Sequence, residues 1–335
     1  VMMEQKETKI TEETLDQELE LLMDAMPEQE DFEKKIDRYI KKKIRNITIK
    51  TVCSIFIIIA VLFLMISPAM DRAYLNPKKL EKDGTFQSVL RDYYEITRPY
   101  IELGTINIEK KGFARYGLGI EAFDDTEKIN VGLETVWVDV VLGKYKNWND
   151  PRMLLVTKLG AFEYPSSKED IDNLTKELEK LPESAKISLA ISEKEVRDVA
   201  ELRKEKVDLD WIEVYHPNQP KFQGGLSLWR TQIYNDSDDR ENMTEEELLK
   251  VYMQNLKNLA EHSDIWGNLG LPYHSSVWAE GVKQIEDCYE DAKTLEKLQT
   301  KAYYISGRRN EILEYLQKTS IESVSVYDVK SNIWE

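Results

Sequence analysis

Residues 51–70 read TVCSIFIIIAVLFLMISPAM, twenty positions without a charge, and they follow directly on the basic segment KKIDRYIKKKIRNITIK at 34–50. At about 1.5 Å of rise per residue, a helix of that length spans about 30 Å, the hydrocarbon thickness of a bilayer. Eleven of the twenty are Ile, Leu, Val or Phe. Each contributes about −0.3 to −0.6 kcal/mol at a helix centre, so insertion is favoured by about 3 to 7 kcal/mol before smaller terms. The run is apolar on every side, unlike a helix that buries one face in a soluble core. It predicts a single membrane-crossing helix, with a short aqueous segment before it and a long one after it.

The flanks orient that helix. Between Glu33 and Lys50 there are eight Lys or Arg against two acids, so the positive-inside rule puts residues 1–50 in the cytoplasm and residues 71–335 outside it. Arg72, Lys78, Lys79 and Lys82 make the asymmetry incomplete. A cleaved signal peptide, which the small pair Ser67 and Ala69 would suit, is the poorer fit: the apolar run exceeds the usual span of about 7 to 15 residues, and some fifty residues precede it. Residues 1–50 carry a net charge of −3, leaving −13 of the chain's −16 on the outer part. Such a surface repels polyanions, which argues against direct nucleic-acid binding. Cys53 in the apolar run and Cys288 in the outer part cannot pair with each other in one folded chain, so core packing has to stabilise the outer part.

Pro27 divides the inner segment. Before it, Leu15, Leu19, Leu22 and Met26 fall at spacings of four, three and four, which sets them on one stripe of a helix. Two readings fit. The stripe is an anchor for a partner's groove, its acidic flanks selecting a basic protein, or the segment is an acidic disordered tail with an incidental leucine spacing. The basic run beyond it is explained by topology and anionic headgroups.

Residues 71–165 alternate like a sheet, with β-branched and aromatic runs at 105–108, 130–142 and 152–156 and a turn signal at Asn147 to Pro151. From 166 to 335 helices and strands interleave. Ser166-x-x-Glu169, Ser192-x-x-Glu195 and Thr244-x-x-Glu247 have the form of capping boxes, predicting helices at about 168–181, at about 193–204 and from 245. KISLAIS, LDWIEVYH, AYYIS and SVSVYDV read as strands, with Gly307 as a turn and RRNEILEYLQ as a helix between the last two. The expected class is α+β: one transmembrane helix followed by an extracytoplasmic mixture of helix and sheet, in one domain or two.

Catalytic motifs are missing from this sequence. His216, His262 and His274 have no paired metal spacing, and there is no G-x-S-x-G, S-x-x-K or P-loop. DSDDRENMTEEE approaches an EF-hand, with Asp236, Asp238, Asn242 and Glu247 at positions 1, 3, 7 and 12, but Arg240 takes a ligand position and Glu241 replaces the turn glycine. Trp137, Trp148, Trp211, Trp229, Trp266, Trp278 and Trp334 could line a sugar groove, yet most occupy core-like contexts. We expect no enzyme, no metal and no cofactor. The four Asn-x-Ser/Thr sequons, at Asn46, Asn173, Asn235 and Asn242, read as chance matches.

The lead DFEKKIDRYIKKKIRNITIKTVCSIFIIIAVLFLMISPAMDRAYLNP, with SAKISLAISEKEV, LDWIEVYHP and YYISGRRNEILEYLQKTSIESVSVYDVKSNIW, resembles the membrane-bound sigma-factor regulators (anti-sigma factors) of Gram-positive bacteria. Their N-terminal regulator segment is matched by residues 32 to about 120 and their C-terminal anti-sigma domain by about 164–333; the shared signal is layout and diffuse pattern. The resemblance implies a cell-membrane protein that holds an extracytoplasmic-function sigma factor until an envelope signal releases it. On that implication the stripe Leu15, Leu19, Leu22 and Met26, inferred from spacing alone, would be the sigma-binding surface. Many anti-sigma factors have a longer helical domain, some with a Cys/His zinc motif. This chain has neither, so its grip would be short and could call on a second membrane regulator. The alternative is a membrane-anchored cell-envelope binding module or glycan hydrolase.

Overall fold

The apolar run forms the middle of one continuous helix in the computed structural model, α1 (Gln29–Ala73). The structure describes residues 29–99, 101–124, 135–146, 165–220, 222–228, 240–269, 278–318 and 320–331. None of the apolar stretch of α1 is buried against protein, and Leu64 is 75% exposed. Exposed apolar surface on this scale marks a site of membrane or protein contact. α1 is long and apolar enough to cross a membrane. The chain divides into two compact units between Ser67 and Pro68, so the last turn of α1 belongs to the second unit.

That unit opens with helices where the sequence suggested only sheet. After the single turn α2 (Pro77–Leu80) comes α3 (Thr85–Thr97). Phe86, Val89, Leu90, Tyr93 and Tyr94 recur at helical spacing and are all buried. Their aromatic, β-branched composition favours strand, but their period does not.

Four antiparallel strands then form a meander, β1 (Ile101–Gly112), β2 (Arg115–Asp124), β3 (Val136–Val141) and β4 (Lys144–Lys146). Alternate residues, among them Ile106, Ile108, Leu118, Ile120, Val138 and Val140, face the core, as the period-2 pattern requires. The run predicted at 130–142 supplies β3. The run at 152–156 and the turn at 147–151 lie outside the described residues.

The second sheet is built from β5 (Lys186–Asp198), β6 (Asp208–Glu213), β7 (Gly225–Ser227), β8 (Gln299–Arg308) and β9 (Ile321–Lys330), in the order β7-β6-β8-β5-β9. Around it lie α4 (Lys168–Glu179), the single turn α5 (Val199–Leu202), α6 (Glu245–Glu261), the single turn α7 (Ser263–Trp266), α8 (Trp278–Ala292) and α9 (Arg309–Lys318). β8 and β9 both run antiparallel to β5, so they are parallel to each other and α9 is their crossover.

Three expectations need correction. The first half of the helix predicted at 193–204 is strand, because β5 continues to Asp198 through a bulge after Ser192, and only the single turn α5 is helical. The Ser192 hydroxyl bonds to Ser323 at 2.7 Å instead of capping a helix. Glu193 receives the Tyr303 hydroxyl and the Arg197 guanidinium. The capping box at 166–169 sits one residue later, as Ser167 with Asp170, while Thr244 and Glu247 form the predicted box of α6. Gly307 lies within β8, paired with Ile187, and is not a turn.

One buried cluster runs from Phe86 and the first sheet through β5, α6 and α8 to Ile321, so residues 68–335 form a single unit. Its two halves are joined by a buried ion pair between Glu95 on α3 and Arg240 before α6. The Arg240 guanidinium also donates to the Ser227 carbonyl at 2.9 Å, and the Trp211 indole donates to the Glu95 carbonyl at 3.1 Å. Removing one member strands a buried charge, so Glu95→Ala or Arg240→Ala destabilises the unit by about 3–5 kcal/mol. The double change Glu95→Leu with Arg240→Met recovers most of that loss in thermal unfolding followed by near-ultraviolet circular dichroism.

Candidate functional site

Asp71 is the first charge after twenty uncharged residues, and its carboxylate is only 11% exposed. It pairs with the Lys110 ammonium of β1, accepts the Tyr116 hydroxyl of β2 at 2.8 Å and accepts the Ala114 backbone N–H. Burial alone would raise its pKa. The bonds from Lys110, Tyr116 and Ala114 outweigh that and hold it below the usual carboxylate range. Tyr116 moves the opposite way, raised by burial and by the carboxylate it serves.

The residues that follow extend the clamp. Asn76 donates to the Asp71 carbonyl at 3.3 Å and accepts the Lys79 N–H, which caps α2. Lys78 reaches the Ile108 carbonyl of β1 at 3.1 Å. The last turn of α1 is thereby fixed to one end of the first sheet.

Two tight turns form that sheet end. One joins β1 to β2 through Phe113 and Ala114, and the other joins β3 to β4 through Leu142 and Gly143. The Leu142 N–H donates to the Ala114 carbonyl at 3.0 Å, which sets the turns side by side. Gly143 lies against the backbone of Leu75; a Cβ there would come within 3.3 Å of the Leu75 nitrogen. Asn268 donates to the Gly143 carbonyl at 3.2 Å, and the Tyr145 hydroxyl of β4 donates to the Ile265 carbonyl at 2.8 Å. The sheet end is therefore joined to α7 and its continuation. On α3, Gln87 and Arg91 hold the carbonyls of Gly104 and Leu103 at 3.0 and 3.2 Å, and Glu95 on the same helix carries the ion pair that reaches the second sheet.

The β3–β4 loop has two residues, both with positive φ: 51° at Leu142 and 75° at Gly143. Such hairpins favour Asn-Gly or Asp-Gly, and a non-glycine residue in the left-handed region costs about 1–2 kcal/mol. Leu142 is nevertheless 41% exposed. Tyr74, beside the same loop, is 42% exposed.

Among the described residues, several groups that could suggest catalysis are engaged in the fold. His216 is buried, with Nδ1 on Asp291 at 3.0 Å and Nε2 on the Tyr252 hydroxyl at 2.8 Å, so neither nitrogen is left for a substrate. Burial pushes the Cys288 thiol up, away from the nucleophilic thiolate. Glu247 is engaged in the α6 cap and Arg240 in the buried ion pair, while Asp236 and Asp238 lie outside the described residues. Among the described residues no cluster of His, Cys, Asp and Glu could hold a metal ion. A recess of about 260 Å³ is lined by Arg203, Lys206, Glu205, Asp208, Asp210 and Glu241. Its Arg203 guanidinium is already bonded to the carbonyls of Arg240, Glu241 and Met243.

Of the tryptophans, Trp211 and Trp266 are core residues. Trp137 is 61% exposed and lies over Gly119 on the solvent face of the first sheet. The stripe Leu15, Leu19, Leu22 and Met26 lies outside the described residues. No family model, curated protein or solved structure matches the chain.

A buried histidine and a half-buried glutamate give the folded unit opposing pH responses. Burial holds His216 below its usual pKa, so stability falls as pH drops below about 6.5. Burial pushes the Glu213 carboxyl up to about 8. The folded state then keeps a proton that the unfolded state releases above about pH 4.5, and stability falls as pH rises from there toward 8. Urea unfolding from pH 5 to 8.5 will show Glu213→Gln removing the fall in stability toward pH 8 and steepening the His216-dependent rise from pH 5 to about 6.5.

Proposed function

We propose that the chain is a single-pass membrane regulator whose cytoplasmic residues 1–50 bind and sequester an extracytoplasmic-function sigma factor, while residues 71–335 respond to a condition at the envelope. The observation that carries the coupling half of this reading is the Asp71 clamp. The last turn of α1 is bonded to a folded unit through Lys110, Tyr116 and Ala114, so a change in that unit reaches the end of the apolar helix. The basic flank at 34–50 supports an inward N-terminus. The word sigma rests on the resemblance, and Leu15, Leu19, Leu22 and Met26 rest on helical spacing.

A second reading, an anchored envelope-binding module, has one observation in its favour: the exposed Trp137 indole on an open sheet face. It requires the outer unit to retain wall glycan in a manner that Trp137→Ala abolishes.

Affinity capture with residues 1–50 as bait tests the first reading. The expected prey is a sigma factor, and Leu19→Asp with Leu22→Asp abolishes its capture. Deleting residues 1–50 from the chain in cells turns the sigma regulon on; a silent regulon contradicts the proposal. Asp71→Ala shifts the regulon's response to envelope stress and leaves capture by the isolated tail unchanged.

A further inference from the structure

We infer that the β3–β4 turn, Leu142 with Gly143, forms with Tyr74 a contact patch that rests in the headgroup layer of the anionic bilayer crossed by α1. This inference rests on the membrane-crossing reading of residues 51–70 and adds a second attachment to it.

Position is the first ground. Asp71 is one residue beyond the apolar run, and its carboxylate touches Tyr116 at 2.8 Å. The sheet end that carries Tyr116 therefore lies within a side-chain length of the chain's exit from the hydrocarbon. Tyr74 is four residues from Met70, about 6 Å of helical rise. Gly143 lies against Leu75, which brings the turn to the same level.

Chemistry is the second ground. Tyrosine is favoured at the membrane interface, where its ring meets the acyl boundary and its hydroxyl meets water. A leucine 41% exposed in a left-handed turn position costs backbone strain and lowers solubility, unlike Ala114 at the neighbouring turn, which has a similar positive φ but is buried. A side chain kept against local backbone preference points to a role outside the fold, and a leucine at the tip of a hairpin suits shallow insertion into lipid.

Charge is the third ground. The outer part of the chain carries −13, yet this sheet end presents exposed Arg72, Lys110, Lys111, Arg115 and Lys144 against Asp71, Glu109 and Asp139. Lys111 and Arg115 share the single carboxylate Asp139, at 2.9 and 3.0 Å. A net positive rim around two apolar side chains is complementary to anionic headgroups.

The test uses the full chain carrying Cys53→Ser, reconstituted in vesicles of phosphatidylcholine with phosphatidylglycerol. A fluorophore is attached at Lys144→Cys, beside the turn, or at Trp137→Cys, at the far end of β3, and nitroxide-headgroup lipid is the quencher. Quenching at position 144 is expected to exceed that at 137 by about twofold or more, as for a group seated at the interface. Adding Leu142→Asn to the 144-labelled chain brings its quenching down toward the level at 137. In detergent the same substitution raises the thermal midpoint, because asparagine suits the turn.

Equal quenching at 144 and 137 in protein that resists carbonate extraction overturns the contact and leaves the membrane-crossing reading intact. Release by carbonate overturns the crossing itself. A lowered thermal midpoint for Leu142→Asn assigns the leucine to the fold and also overturns the contact.

Discussion

The carboxylate of Asp71 marks the point where α1 passes from an exposed apolar stretch to one held by protein. The twenty residues before it carry no charge. At Asp71 a charge must be satisfied, and Lys110, Tyr116 and Ala114 satisfy it from two neighbouring strands and the turn between them. The partners arrive together because β1 and β2 are one hairpin, with Lys110 opposite Tyr116 in its register. That hairpin is held in turn by α3, which packs on its inner face and carries Glu95 to the pair with Arg240. A local charge problem at a helix end is thus met by an arrangement that extends across the whole second unit.

The sequence disclosed the elements whose signal is local. The apolar run needs only length and composition, β3 follows from a β-branched and aromatic run, and α6 from a capping box followed by a helical stripe. The reading failed where a local motif had a stronger tertiary competitor. Ser192-x-x-Glu195 has the form of a cap, but β8 and β9 on either side of β5 pair its backbone, and Glu193 is drawn to Tyr303 and Arg197. α3 was concealed by residues that favour strand while recurring at helical spacing.

The candidate site was the least legible part. Asp71 and Tyr116 are 45 residues apart and belong to no motif; only the fold brings them together. The turn had a visible signal in Gly143 between two β-type runs, though nothing local announced that Leu142 would take the positive φ beside it. The same holds for the buried polar groups. His216 reads as an isolated histidine in sequence and is a fully engaged core group in the structure, held by Asp291 and Tyr252 from two different helices.

Hydrogen exchange on the full chain in nanodiscs tests the central claim, that the Asp71 carboxylate is the main tie between the end of the apolar helix and the first sheet. Amides at 71–75 and at 112–116 are expected to be protected in the wild type. In Asp71→Asn they should lose protection together, while those of β5 and β8 keep theirs. Loss confined to one of the two segments, or fast exchange of both in the wild type, would contradict the claim.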